Sequence, residues 1–538
     1  MIVTKTTQGE ASSRTTKNPA FPLMLAFGIF LLLALGASSM APAAEPTTPN
    51  VLILLADDLG WADVGYHGSE IQTPGIDRLA REGVRMERFY AAPICSPTRA
   101  ALMTGRDPLK LGIAYDQIHP WYNAGLSPDD NTIAQAFQSA GYQTALIGKW
   151  HLGHTQEHQL PNAHGFEQFH GHLHTNTDYW IHEREGAHDL QENGKSLSLD
   201  GEYLTHIQER EAIRFLRDRD PKRPFFLYVP FTAPHSPMQA PEEAIDRYKH
   251  LTNQKYRRVY AAMVDEMDRA ISAILEALDQ EGLADDTVVL FFSDTGGFQG
   301  FGGSNVPLRG EKGQTFEGGI RVPAVLRWPG QLPAGGIENA QTTVMDVFPT
   351  LAAAASIELK PDAPLDGRNM WPVFHGGVPA SPAPPIFFAS EIPLPGMIHL
   401  AVIDPPWKLV QIVMERQNEI QIRNFLFRIL EDPNEEKNLA AEKPEVVERL
   451  AGEIRAWRSQ HPMAGTRGTL VPHPGWVAPH DWADAVTPAS TLQPTWKNEL
   501  PFNKALLDAT AERGVLVDDA TRKRLEAEEQ ERNKAWQK

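Results

Sequence analysis

The stretch Pro49–Trp61, PNVLILLADDLGW, decides how the rest of the chain is read. Apolar residues run unbroken from Val51 to Ala56. The run lacks the alternation of a half-exposed strand and fits a strand covered on both faces of a parallel sheet. It ends on adjacent carboxylates, Asp57 and Asp58. In open α/β sheets ligands bind beyond the carboxyl ends of the strands, so acids there are candidates for chemistry. Asp pairs also cap turns, and the pair alone does not choose between the two readings.

The pattern recurs downstream. IDRLAREGV reads as an amphipathic helix stopped by Gly83, and TIAQAFQSAGYQTALIGKWHLG as helix, glycine stop, strand and loop. RPFFLYVPFTAPHSP is a second buried strand running to His235. Val259, Met263, Met267, Ile271, Ile274 and Leu278 have helical spacing, with Gly282 as the stop. DDTVVLFFSDTGG is another strand, ending at Asp294, and VPAVLRWPG one more. Strands alternating with helices predict an α/β fold with a large, mostly parallel sheet sandwiched by helices. Asp57, Asp58, Lys149, His151, His235 and Asp294 all follow strands and should meet at one sheet edge.

Further on, IFFASE, HLAVID and WKLVQIVM followed by PEVVERLAGEIRAWRSQ predict a smaller C-terminal antiparallel sheet plus helix. The expected organisation is a leader over residues 1–43, a main domain over 49–375, a sheet-helix subdomain over 385–460, and a Pro- and Trp-rich, then helical, tail over 461–538. At the start, Lys5, Arg14 and Lys17 precede the apolar run Phe21–Ser39, and Ala41 or Ala43 suits cleavage. This is a secretory signal pattern, implying export to a periplasm or the exterior without stable membrane insertion after cleavage. An uncleaved anchor is the alternative. The net charge of −18 argues against a nucleic-acid partner, because such binding rests on basic residues. An anionic substrate would need a local basic pocket.

Three strand-end aspartates cannot sit together unpaired, and a hard divalent cation with oxygen ligands resolves their repulsion. Cys95, in PICSPTRAALMTGR, is the only cysteine of 538 residues, so it forms no internal disulfide. Pro97 suits a first helical turn, which places Cys95 at a helix N-terminus, where the dipole favours an anion. A buried small hydrophobe is the plainer alternative. Lys149 and His151 would share a face if extended, His235 lies in TAPHSP, and Lys312 lies in a glycine-rich loop. Such groups suit an oxyanion ester, with a His or Lys to protonate the leaving oxygen. FHGHLHT aligns His170, His172 and His174 on one strand face, but the spacing fits no common zinc pattern; a solvated or substrate-facing loop is expected.

Together these residues resemble the sulfatase family of the alkaline phosphatase superfamily. CSPTR matches its Cys-x-Pro-x-Arg signature, and LLADDLGWADVGYHG, GYQTALIGKWHLG, TAPHSP, LRGEKGQTFEGGIRVPAVLRWPG and ILEDPNEEKNLA follow in the family's order. The resemblance spans roughly 49–459. It implies an alkaline phosphatase-like fold and a sulfuric ester hydrolase. It implies that a separate maturation enzyme oxidises Cys95 to formylglycine, whose hydrate attacks sulfur, forms a sulfated hemiacetal and then expels sulfate. It implies that Asp57, Asp58, Asp294 and the modified Cys95 ligate Ca²⁺, with Mg²⁺ as second choice, and that Arg99 holds the hydrated aldehyde. By the same resemblance Lys149 and Lys312 bind sulfate oxygens, His151 assists elimination, and His235 with Lys312 protonates the leaving alcohol. One departure stands out: the family's Ser-Asp-Asn-Gly is SDTGG here, so Thr295 would ligate weakly or leave a water in its place. The sequence looks most like arylsulfatase B and its relatives, implying a sulfated carbohydrate such as N-acetylgalactosamine sulfate, with Tyr179, Trp180 and His182 on a sugar-binding rim. A phosphomonoester or phosphonate hydrolase of the same superfamily, or an inactive binder of sulfated glycans, are the alternatives.

Overall fold

The computed structural model describes residues 48–251, 256–359, 365–378, 383–391, 397–416, 419–461 and 476–487. The expected leader and most of the expected tail lie outside them. Among the described residues no helix is long and apolar enough to cross a membrane.

The run that opened the sequence reading forms the strand Asn50–Ala56, buried at every residue. It is central in a ten-stranded sheet. Thr287–Ser293 and Phe225–Pro230 flank it in parallel, and Gln143–Lys149 and Gln168–His172 continue the parallel order. Alternate side chains enter separate cores. Val51, Ile53 and Leu55 pack with Ala100, Phe137 and Leu351 on one face. Leu52, Leu54 and Ala56 pack with Ile76, Ile207 and Met263 on the other. Helices on both faces explain why the strand needs no polar side. The register sets Ala56 opposite Ser293, so Asp57 and Asp294 leave the sheet side by side.

The sequence did not reveal every strand direction. Ala324–Arg327 is a strand as expected, but it pairs antiparallel with Thr287–Ser293. His170 and His172 lie on the strand Gln168–His172, with His174 just beyond, and all three are buried. That overturns the expectation of a solvated loop.

A second sheet is antiparallel and four-stranded, built from Ile386–Ser390, Met397–Asp404, Trp407–Arg416 and Glu419–Arg428. The helix Pro444–Arg458 packs against it through Leu450, Ile454 and Trp457. The fourth strand was not anticipated, because EIQIRNFLFR interleaves charged and apolar residues. Lys408 ties this sheet to the main one. Its ammonium is fully buried, 2.8 Å from both Glu317 and Glu435. Burial, opposed by Lys408 but reinforced by Glu317, pushes the Glu435 carboxyl up. Glu435 also accepts a 2.7 Å hydrogen bond from the Glu317 amide. The DPNEEKNL stretch therefore acts as a fastener. Lys408→Ala leaves two buried carboxylates without their cation and should cost about 3–5 kcal/mol in a urea denaturation series. A loss below about 1 kcal/mol would show that the fastener does not hold the sheets together.

Candidate active site

The strand ends bring the expected charges together. Asp57 follows the Asn50–Ala56 strand and meets Lys149, at the end of Gln143–Lys149, at 2.5 Å. Asp58 takes φ +67°, a strained conformation for a residue with a side chain, and so turns back toward Asp294. Its amide donates to Asp294 Oδ1 at 3.2 Å. Lys312 Nζ lies 2.7 Å from Asp58, and His235 Nε2 lies 3.6 Å from it. Arg99 donates through Nε and Nη2 to Asp294 at 3.2 and 2.9 Å and through Nη1 to the Lys149 carbonyl at 3.0 Å. Three carboxylates thus face three cations in a buried space. Ligand atoms of Asp57, Asp58, Cys95 and His235 lie within 4.8 Å of one another.

Close backbone packing enforces this convergence. A Cβ on Gly297 would stand 2.8 Å from the Gly60 Cα, so the loops after Asp58 and Asp294 can touch only through glycine. Asn305, which the sequence reading passed over, pins these loops. Its amide donates to the Gly297 carbonyl at 2.8 Å, and its Oδ1 accepts from Gly297 at 2.9 Å and Trp61 at 3.3 Å. Asp63 was also missed. It accepts from Arg257 at 2.6 Å and Tyr260 at 2.9 Å, and Tyr260 also donates to the Asp58 carbonyl at 3.1 Å. Neither residue follows an apolar run, so strand-end logic could not find them.

Cys95 opens the helix Cys95–Thr104, which ends at Gly105 with φ +63°. The thiol is buried. Burial pushes it up to about 12 against the opposing pull of Lys149 and Lys312, with Asp294 and Asp57 adding smaller contributions in the same direction as burial. Asp57 is the reverse case: burial raises its pKa, but Lys149, His235 and Arg99 together win and hold it below the usual carboxylate value. Burial and the neighbouring Asp57 charge push Asp294 up despite Arg99.

The histidines have fixed tautomers. His151 Nε2 donates to the Ile118 carbonyl at 3.0 Å, leaving Nδ1 without a hydrogen-bond partner. Burial, then Lys149 and Arg99, hold its pKa well below the usual histidine value. Its φ of +60° takes it off the strand line, so it does not share an extended face with Lys149 as expected. His235 Nδ1 donates to the Ser236 carbonyl at 2.7 Å, leaving Nε2 toward Asp58.

Of the remaining expected site residues, two fall differently from expectation, Tyr179 and His182. Thr295 donates to Asp58 Oδ1 at 2.9 Å, so its hydroxyl serves that carboxylate. Tyr179 is fully buried, with its hydroxyl donating to the His235 carbonyl at 2.9 Å. His182 is also buried, 3.1 Å from the Glu202 carbonyl. These two support the pocket wall from inside and do not form its rim; Trp180 is half-buried.

The donor set fits a hard divalent cation. Asp57 Oδ1 is buried without a hydrogen-bond partner, and the Asp58 carboxylate beside it offers the oxygen donors such an ion takes. Residues 49–357 match the sulfatase family model. Arylsulfatase J of Mus musculus is 37% identical over 345 residues, 63% of this chain and 58% of its own length. The chain therefore spans less than two thirds of that relative. N-acetylgalactosamine-6-sulfatase of Homo sapiens is 35% identical over 364 residues, 63% of this chain and 68% of its own length. The crystal structure of Ps i-CgsB in complex with k-i-k-neocarrahexaose has a TM-score of 0.70 at 32% identity, covering 77% of this chain and 93% of that one. Phosphonate monoester hydrolase of Agrobacterium radiobacter, with a TM-score of 0.57 at 22% identity over 77% of this chain and 96% of its own, shares the fold alone. With the family model matching more than half of the chain and the expected residues gathered at one sheet edge, the chain belongs to the sulfatase family, a family of sulfuric ester hydrolases.

Proposed function

We propose that the protein hydrolyses sulfate esters of a carbohydrate, of the N-acetylgalactosamine sulfate type, using a formylglycine made from Cys95 by a maturation enzyme and a Ca²⁺ ion, with Mg²⁺ as second choice. The observation that carries this is the placement of Cys95, buried with its sulfur within 4.8 Å of ligand atoms of Asp57, Asp58 and His235. A thiol pushed up to about 12 among carboxylates is not a thiolate nucleophile at neutral pH. The same position suits an oxygen nucleophile beside a hard cation.

Asp57, Asp58 and Asp294 would hold the ion, which when bound acidifies an oxygen nucleophile and polarises the ester. Arg99 and Asp294 hold each other and fix the floor on which the residue at position 95 stands. Lys149 and Lys312 supply positive charge for the sulfate oxygens. His151, kept neutral with a bare Nδ1, takes up the proton released when sulfate is expelled. His235 gives a proton from Nε2 to the leaving alcohol. Its Nε2 is bare in the resting site and burial, then Lys312, hold its pKa below the usual histidine value, so the Lys312 ammonium supplies the proton that passes through this ring. Export follows from the leader over residues 1–43, and the divisions at 49–375, 385–460 and 461–538 are proposed as the domain organisation.

In protein from a host without the maturation enzyme, native Cys95 should resist iodoacetamide at pH 8, since its thiol is buried and held protonated. Full labelling should appear only after denaturation. Rapid native labelling would contradict the buried, protonated thiol. From a competent host, the tryptic peptide Phe89–Arg99 should carry an aldehyde that a hydrazide traps, and the protein should favour an aryl sulfate over the matching aryl phosphate. An unmodified peptide would remove the mechanism. Preference for the phosphate would transfer the site to phosphoryl chemistry. Binding of a sulfated glycan without turnover at saturating Ca²⁺ would mark an inactive binder.

Thr295→Asn brings a carbonyl oxygen within reach of the ion. Calorimetry should show Ca²⁺ binding tightened by about tenfold. Unchanged or weaker binding would show that Thr295 does not limit the site.

A further inference from the structure

The Trp-rich tail was left without a role by the sequence reading, and its described part returns to the pocket side of the molecule. The Thr487 amide donates to the Thr155 carbonyl at 2.8 Å, and the Trp482 amide donates to the His188 carbonyl at 2.9 Å. Trp482 is buried against the His174 ring at 4.1 Å, and its indole donates to the Arg184 carbonyl at 3.1 Å. From that anchor Trp476 reaches Trp121, edge to face at 5.9 Å. Trp121 in turn lies flat on His119, with ring centres 4.8 Å apart and planes 8° from parallel. Trp121 and Trp476 are both partly exposed and form an aromatic corner.

Two chains of contacts join this corner to the reacting centre. Ser96, next to Cys95, accepts from the Ile118 amide at 3.1 Å, and His151 donates to the Ile118 carbonyl at 3.0 Å. Trp121 stands three residues further along, at most about 10 Å of chain away. On the other side Arg184 donates to Asn176 at 2.6 Å, and Asn176 to the Ser236 carbonyl at 2.7 Å, the same oxygen that fixes His235. The tail therefore touches the loop that carries His151 at Thr155 and reaches the His235 loop through Arg184 and Asn176. Trp121 lies within residues 49–357 matched by the family model, while Trp476 and Trp482 lie beyond them, so the tail's half of the corner is outside the matched region.

We infer that Trp121 and Trp476 form a stacking subsite for a sugar ring of an oligosaccharide, next to the sulfated ring. A pyranose presents a C–H face that packs on indole, while its hydroxyls stay in water. The inference rests on the proposed sulfated-glycan reading. It makes the protein selective for chain substrates over isolated sulfated monosaccharides, through KM rather than kcat.

The test compares Trp121→Ala and Trp476→Ala with the wild type, matured and loaded with Ca²⁺, on a small aryl sulfate, a chondroitin sulfate hexasaccharide and a neocarrahexaose. Both variants should keep aryl sulfate turnover and raise KM for an accepted hexasaccharide by about three- to tenfold. Trp121→Phe should recover most of the loss, and Val477→Ser, at a residue 82% exposed beside Trp476, should change nothing. Equal loss on all substrates, or no loss on any, overturns the subsite. If the wild type turns over no sulfate ester, the function proposed above fails by itself. Calorimetric binding of the two hexasaccharides then decides the subsite: a three- to tenfold weaker affinity in both variants upholds it, and no binding or equal binding ends it.

Discussion

Three buried carboxylates that must share one small space govern this structure. Asp57, Asp58 and Asp294 meet because two parallel strands end in register, and nothing in the fold separates them afterward. Like charges at this distance either take up protons or recruit cations. Here Arg99, Lys149 and Lys312, each from a different segment, supply the cations. The site is an assembly of distant chain segments that only the complete sheet can bring together.

The constraint reaches beyond the charged groups. Asp58 adopts a left-handed backbone conformation, which costs on the order of 1–3 kcal/mol and persists only where surroundings fix it. Tyr260, on the long helix Arg257–Gln280, does that fixing through its hydrogen bond to the Asp58 carbonyl, while Arg257 of the same helix binds Asp63 a few residues beyond Asp58. Lys408 repeats the principle far from the chemistry, where two glutamates are buried around one ammonium to join two sheets. In both places a charge is buried only where its partner is already in position.

How much of this was legible in the sequence follows from the range of each interaction. The apolar runs showed the strands, because a strand covered on both faces leaves a purely local signal in Val51–Ala56 and Thr287–Phe292. The charged residues after those runs were found by the same logic. Strand direction was not legible for Ala324–Arg327, since periodicity is blind to the partner. Tyr179 and His182 were placed on a rim by resemblance alone, which says nothing of burial, whereas the backbone carbonyls of His235 and Glu202 satisfy them inside. Asn305 and Asp63 left no local signal. Their roles depend on hydrogen bonds to segments that only folding brings near.

The lone cysteine is best understood through the same electrostatics. A thiol catalyst needs an environment that favours the thiolate, usually a cation or a helix N-terminus with no competing anions. Cys95 has the helix N-terminus and two lysines in its field, yet burial and two aspartates override them. A site arranged for sulfur chemistry would not surround its sulfur with carboxylates. One arranged for a hard cation would, because carboxylates are the ligands that cation prefers. Burial is what makes the residue at position 95 a poor thiol, and the aspartates packed around it are oxygen donors of the kind a hard cation takes.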